Sequence, residues 1–257
     1  MKHVHRIVVL VFVLLACASI LPARSQETRV LIVMTSTASS NSSSATTGYN
    51  AKEVIHPYYV FLQGGWSVDF ASPQGGRAPV DPASIDSSDK RTRYYLHDDS
   101  LLQERLKHTI AVKDIYPEKY DAILFIGGGG ALWDLRNDAV LGKVAARIFG
   151  KRGILATIGE GAVVLLSTFL TDGVPVYKGV RLTSATDEEM EATFGPGNLP
   201  ISLETAFRDG GAIHFKMDPF TPNTIVEHRV ITGQNAASAL GVAQAMIAKW
   251  KELSKEH

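Results

Sequence analysis

Three short segments hold the residue types that chemistry needs. The first is Gly159-Glu160-Gly161, which follows the apolar run Gly153 to Ile158 without a spacer and leads into a helix-forming stretch, Glu160 to Thr168. Strand, tight turn and helix in that order are the layout of a nucleophile elbow, where one side chain sits on a strained turn at the head of a helix. Position 159, where the nucleophile belongs, is glycine and offers no reactive atom. Its neighbour Glu160 is either a helix N-terminal acid, worth about 0.3–1 kcal/mol against the helix dipole, or a proton-transfer group. The second segment is Gly127 to Gly130, whose N–H groups at Gly128, Gly129 and Gly130 suit an anion or an oxyanion. A phosphate-binding P-loop needs Lys-Ser/Thr after the last glycine, and Ala131-Leu132 follow instead, so nucleotide binding is not expected. The third is a helix over Ala51 to Gln63, where His56 lies three residues after Glu53 and shares its face. His56 is a candidate pocket acid/base or ligand as well as a packing residue. Trp133 borders the glycine run and is a candidate binding residue, with packing as the simpler role, and Asp134 reads as a cap.

Composition narrows the functions these segments can serve. The 257 residues include 26 basic and 26 acidic side chains, so no net charge recommends a nucleic-acid partner. A single cysteine, Cys17, excludes an internal disulfide and a thiolate zinc cage. His97, His108, His214 and His228 show no ligand spacing, so no metal and no cofactor is expected. A small-molecule ligand remains the expected partner.

The first 25 residues read as an address. Lys2 and Arg6 precede the apolar run Ile7 to Leu21, and Ala23-Arg24-Ser25 resembles a small-residue cleavage site. The run is shorter than the roughly 20 residues of a membrane span. Cleavage before Gln26 leaves a secreted or periplasmic chain, residues 26–257, with no cysteine and no membrane span. The alternative is a lipoprotein anchored at Cys17, because Leu14-Leu15-Ala16-Cys17 is close to a lipobox.

The elements that must position the candidate residues alternate in type. Arg29 to Thr35, Asp121 to Ile126 and Gly153 to Ile158 are continuous apolar runs, as in parallel strands buried on both faces. Helical patterns fall at 51–63, 100–108, 138–150, 187–194 and 236–250, with more alternating strands at 66–72, 212–215 and 224–232. Strand-helix alternation implies an α/β fold with a doubly wound, mainly parallel sheet sandwiched by helices. Residues 26–257 read as one domain, with a small cap from 36–48, 73–100 and 185–225. Such sheets bind ligands at the carboxyl ends of their strands, where the glycine run and the 159–161 turn both fall.

Four segments resemble the ThiJ/PfpI superfamily, which has the class I glutamine amidotransferase-like (flavodoxin-like) fold, and in particular its heat-shock chaperone/glyoxalase III branch. They are Thr47 to Tyr58, Ala71 to Pro82, Tyr120 to Leu135 and Val230 to Asn235, in the family's order. The resemblance implies that Glu53 points at the elbow and that Gly159 stands where the family carries its catalytic cysteine. It also implies that Glu160 replaces the adjacent histidine and Gly129 the histidine of the glycine loop. A Cys-dependent amidase, protease or glyoxalase mechanism therefore does not transfer. A carboxylate pair, Glu53 and Glu160, would instead support non-covalent acid/base chemistry of the hydratase, lyase or isomerase type. The competing expectations are a catalytically inactive binding or chaperone-like module and a residual glyoxalase III or deglycase activity. The resemblance also allows a homodimer.

Overall fold

The computed structural model describes residues 27–38, 47–136, 138–195, 197 and 200–255. The expected signal segment, with Cys17, and residues 39–46 of the expected cap lie outside them. A seven-stranded sheet runs in the order β3-β2-β1-β4-β5-β9-β8. Its strands are β1 (Arg29–Val33), β2 (Ser67–Ser72), β3 (Ile110–Ala111), β4 (Ala122–Phe125), β5 (Ile154–Ile158), β8 (Thr224–Glu227) and β9 (Val230–Gly233). Every neighbouring pair is parallel except β8–β9, a hairpin at one edge. A separate parallel pair joins β6 (Arg181–Leu182) to β7 (Ile213–His214).

The apolar runs make the central strands because they are covered on both sides. On β1, Val30 and Ile32 face one core while Leu31 and Val33 face the other. The first core is closed by α1 (Ala51–Gln63) and α8 (Ala239–Leu253), the second by α5 (Ala139–Gly150). The remaining helices are α2 (Lys90–His97), α3 (Ser100–Lys107), α4 (Ala131–Asp134), α6 (Asp187–Phe194) and α7 (Leu203–Asp209). The doubly wound, mainly parallel α/β expectation is therefore met.

Register places the site. Val33 pairs with Phe125, Phe125 with Thr157 and Thr157 with Thr232, so these four residues form one row across the sheet. Two residues beyond that row, at the carboxyl ends of the strands, stand Thr35, Gly127, Gly159 and Gln234. The stretch after β5, expected as a helix over 160–168, is a helix of the 3-10 kind, Gly159–Ser167. It is pressed against β4 so closely that a Cβ on Gly161 would lie 2.6 Å from the carbonyl oxygen of Phe125. Asp134 departs from expectation. It does not cap a helix N-terminus but accepts hydrogen bonds from Thr35 Oγ1 (2.8 Å) and the Ser36 N–H (2.6 Å), holding the loop after β1 to α4.

Candidate active site

Gly159 opens the turn after β5 at φ +55°, in the left-handed region that disfavours any other residue. A Cβ built there would lie 3.3 Å from Glu53 Oε1 and 3.9 Å from the Gln234 carbonyl oxygen. Any side chain placed at 159 would therefore aim at Glu53. Glu53 is placed by the first turn of α1, whose N-cap Asn50 accepts from the Lys52 N–H (3.1 Å). Its Oε2 accepts from the Gly127 N–H at 2.7 Å. Glu160 reaches the same loop from the other side and accepts from the Gly128 N–H at 3.0 Å. A Cβ at Gly127 would meet Oε2 of both glutamates, at 2.6 Å for Glu160 and 2.9 Å for Glu53, so only glycine fits between them.

The two carboxyls differ in setting. Glu53 is 2% exposed, and burial followed by the Glu160 charge pushes its pKa well above the usual range. Glu160 keeps some contact with solvent; burial raises its pKa too, against the opposing hydrogen bond from Gly128. The upward push is stronger on Glu53, where the Glu160 charge adds to burial. The two carboxyls sit on the N–H groups of two adjacent peptide units, one acid buried and the other within reach of solvent.

The rest of the glycine run is enclosed by side chains. A Cβ at Gly129 would lie 2.6 Å from Thr47 Oγ1 and 2.7 Å from the Phe194 ring, and one at Gly130 would meet Thr35 at 2.6 Å. The N–H groups of Gly127 and Gly128 are already taken by the glutamates, so the expected anion nest is partly filled from within. The Trp133 indole N–H is buried beside this run with no hydrogen-bond partner.

The family model for the DJ-1/PfpI family matches residues 44–187. The chain belongs to the DJ-1/PfpI family. It is 30% identical to a glutathione-independent glyoxalase of Schizosaccharomyces pombe over 226 residues, covering 81% of this chain and 90% of the relative. Among solved structures it resembles Rapid Encystment Protein 24 kDa of Francisella tularensis, with a TM-score of 0.82 and 28% identity, over 86% of this chain and 98% of that one. It also resembles glyoxalase III from Candida albicans, with a TM-score of 0.77 and 25% identity, over 87% of this chain and 98% of that one.

Not every residue singled out from the sequence joins the site of this DJ-1/PfpI chain. His56 lies on α1 near Glu53, but its Nε2 is 3.0 Å from Asp89 Oδ1, the N-cap of α2. Burial lowers the pKa of His56 despite that partner. Burial alone would raise the pKa of Asp89, yet hydrogen bonds from the Thr92 N–H and from His56 outweigh it and bring the value to about 2. The pair therefore pins α2 to α1. Asp89→Ala is expected to cost about 1–2 kcal/mol of stability, from a lost N-cap and a stranded histidine. Urea unfolding of the variant measures it, and an unchanged midpoint would refute the pinning role.

A further buried acid stands close to the pair. Glu189, 4% exposed, accepts hydrogen bonds from the Thr186 N–H (2.9 Å) and hydroxyl (3.1 Å), the Phe220 N–H (2.7 Å), Gln234 Nε2 (3.1 Å) and Asn235 Nδ2 (2.7 Å). Its charge adds to the upward pressure on both Glu53 and Glu160. The signal was present as a capping box, Thr186-x-x-Glu189, at the head of α6. Among the described residues, no group of three or more His, Cys, Asp or Glu side chains is arranged to hold a metal ion. Nor is any of their helices long and apolar enough to cross a membrane.

Proposed function

We propose that this chain is a thiol-independent proton-transfer enzyme acting on a small carbonyl compound. Glu160 is the general base and Glu53 the general acid. The observation that supports this reading is the carboxyl pair itself: two glutamates on adjacent N–H groups, one of them buried, beside a turn with no side chain. The relatives named as glyoxalases suggest 2-oxoaldehydes as the first substrates to try. On the hydrate of such a compound, Glu160 would remove the proton from C1 while Glu53 gives its proton to the C2 carbonyl oxygen. Glu160 would then return a proton to C2, and Glu53 would recover one from a hydroxyl as the C1 carboxyl forms, giving a 2-hydroxy acid. The same pair would serve a hydratase or lyase step on a related carbonyl.

The test is turnover of methylglyoxal in D2O with the chain pretreated with iodoacetamide. Deuterium at the product's C2 and full activity after alkylation are expected. Undiminished turnover by Glu160→Gln would sink the route. A second reading, an inactive binding module, is favoured by the occupation of the Gly127 and Gly128 N–H groups by the protein's own carboxylates. Absence of any turnover would select it.

Export completes the proposal. The Lys2 to Ser25 segment supports cleavage before Gln26, with lipidation at Cys17 as the competing outcome. Intact mass of the protein recovered after secretion should match a chain starting at Gln26. A mass carrying acyl groups on a chain starting at Cys17 would overturn this.

A further inference from the structure

A large cavity lies away from the carboxyl pair and shares no residue with it. It is a groove of about 1110 Å³ between α5 and residues 166–172, at the far end of the 3-10 helix that begins at Gly159. That volume matches the upper range of small-molecule sites, roughly 300–1,000 Å³. Its floor is made of small residues on α5, among them Gly142 and Ala146, and its walls are Leu166, Phe169, Leu170 and Ile201. Phe169 is 49% exposed, an unusual state for an aromatic side chain facing an apolar trough.

The charged lining is one-sided. Lys143, Arg147 and Lys151 recur every four residues along one edge of α5, and Arg136 and Arg229 add two more cations. The only acid in the lining is Asp172, whose Oδ1 accepts from the Val174 N–H. Arg147 pairs with Glu118 at 2.9 Å, and Lys151 donates to the Glu118 carbonyl. Arg229 is different. Its hydrogen bonds go to the backbone carbonyls of Phe149 and Gly153, and its guanidinium lies 4.0 Å from the Phe149 ring centroid. Every one of those partners is neutral, and burial together with the charge of Arg152 disfavours its charged form. A half-buried cation held by neutral groups at the end of an apolar trough is complementary to an anion with an apolar body.

We propose that the groove between α5 and residues 166–172 is a second ligand site that takes a single-chain carboxylate, a free fatty acid. The chain lies along Gly142, Ala146, Phe169 and Leu170, and the carboxylate sits at the Arg229 end. A neutral lipid would leave the Arg229 guanidinium with neutral partners alone, and a small anion would leave the trough empty. The site does not depend on the chemistry of Glu53 and Glu160.

The test is calorimetric titration of the purified chain with dodecanoate below its micelle concentration. One saturable site per chain is expected. Decanoate should bind roughly tenfold more weakly, the effect of two fewer buried methylenes. Dodecanol and dodecyltrimethylammonium should each bind at least tenfold more weakly than dodecanoate. Ala146→Trp, which fills a half-exposed position on the floor, and Lys143→Glu, which reverses an exposed charge on the rim, should each weaken dodecanoate by tenfold or more. Equal binding of dodecanol would overturn the anion requirement, and absence of saturable binding would overturn the site. A chain that sediments as a dimer, and is rendered monomeric by Ala146→Trp, would show that the groove is a subunit contact instead.

Discussion

Glu53→Gln is expected to remove turnover by a factor of about 10²–10⁴ while leaving the fold as stable as before, or more so. Glutamine copies the protonated acid in shape, and its carbonyl oxygen still accepts from the Gly127 N–H. It has no proton to give. The stability side follows from linkage. The folded-state pKa of Glu53 is raised above its unfolded value, so its contribution is fully present below about pH 4.5 and is lost as pH rises through the folded value. Each unit of that rise is worth about 1.4 kcal/mol. The wild type should therefore lose stability toward alkaline pH more steeply than Glu53→Gln, and the two denaturation curves should diverge as pH increases. Parallel curves would mean that Glu53 is not held protonated. Full activity in the variant would remove it from the chemistry.

The second expectation concerns position 159. Gly159→Cys places a thiol whose Cβ lies 3.3 Å from Glu53 Oε1, on a turn at φ +55° that costs a non-glycine residue about 1–2 kcal/mol. With Glu160 beside it, the thiolate forms in the field of a carboxylate, so its pKa should be pushed above the ordinary ~8.5. Alkylation at pH 7 should be slow. Gly159→Cys combined with Glu160→His replaces that repulsion with a base or cation and should speed alkylation at least tenfold. Iodoacetamide kinetics on the single and double variants give the comparison. Equal rates would show that Glu160 exerts no field at the elbow.

Much of this site was legible before any coordinates, because it is built from strand ends. The buried runs at 29–35, 121–126 and 153–158 announce parallel strands, and glycine at 127, 159 and 161 announces close approach. What pattern reading could not supply was direction. His56 shares a helical face with Glu53, yet a turn of α1 carries it toward Asp89 on α2, an element whose polar sequence Lys90 to His97 has no apolar stripe to betray it. Leu203–Asp209 is hard to read for another reason: it is only seven residues long, so its one apolar pair, Leu203 and Phe207, makes no periodic pattern. Glu189 shows only its local half in the sequence, the capping box with Thr186, because its other donors come from two distant stretches, at 220 and 234–235. The 3-10 geometry after Gly159 depends on contact with β4, which no local propensity encodes.

The packing around Gly129 bears on how such a protein can change over generations. The Phe194 ring and Thr47 fill the space a side chain at 129 would need. A histidine at 129 alone would meet that ring. A cysteine at 159 alone would meet the Glu53 carboxyl and the charge of Glu160. Each change is a handicap until the others arrive, so single substitutions can refine the carboxyl pair but cannot install a thiol mechanism.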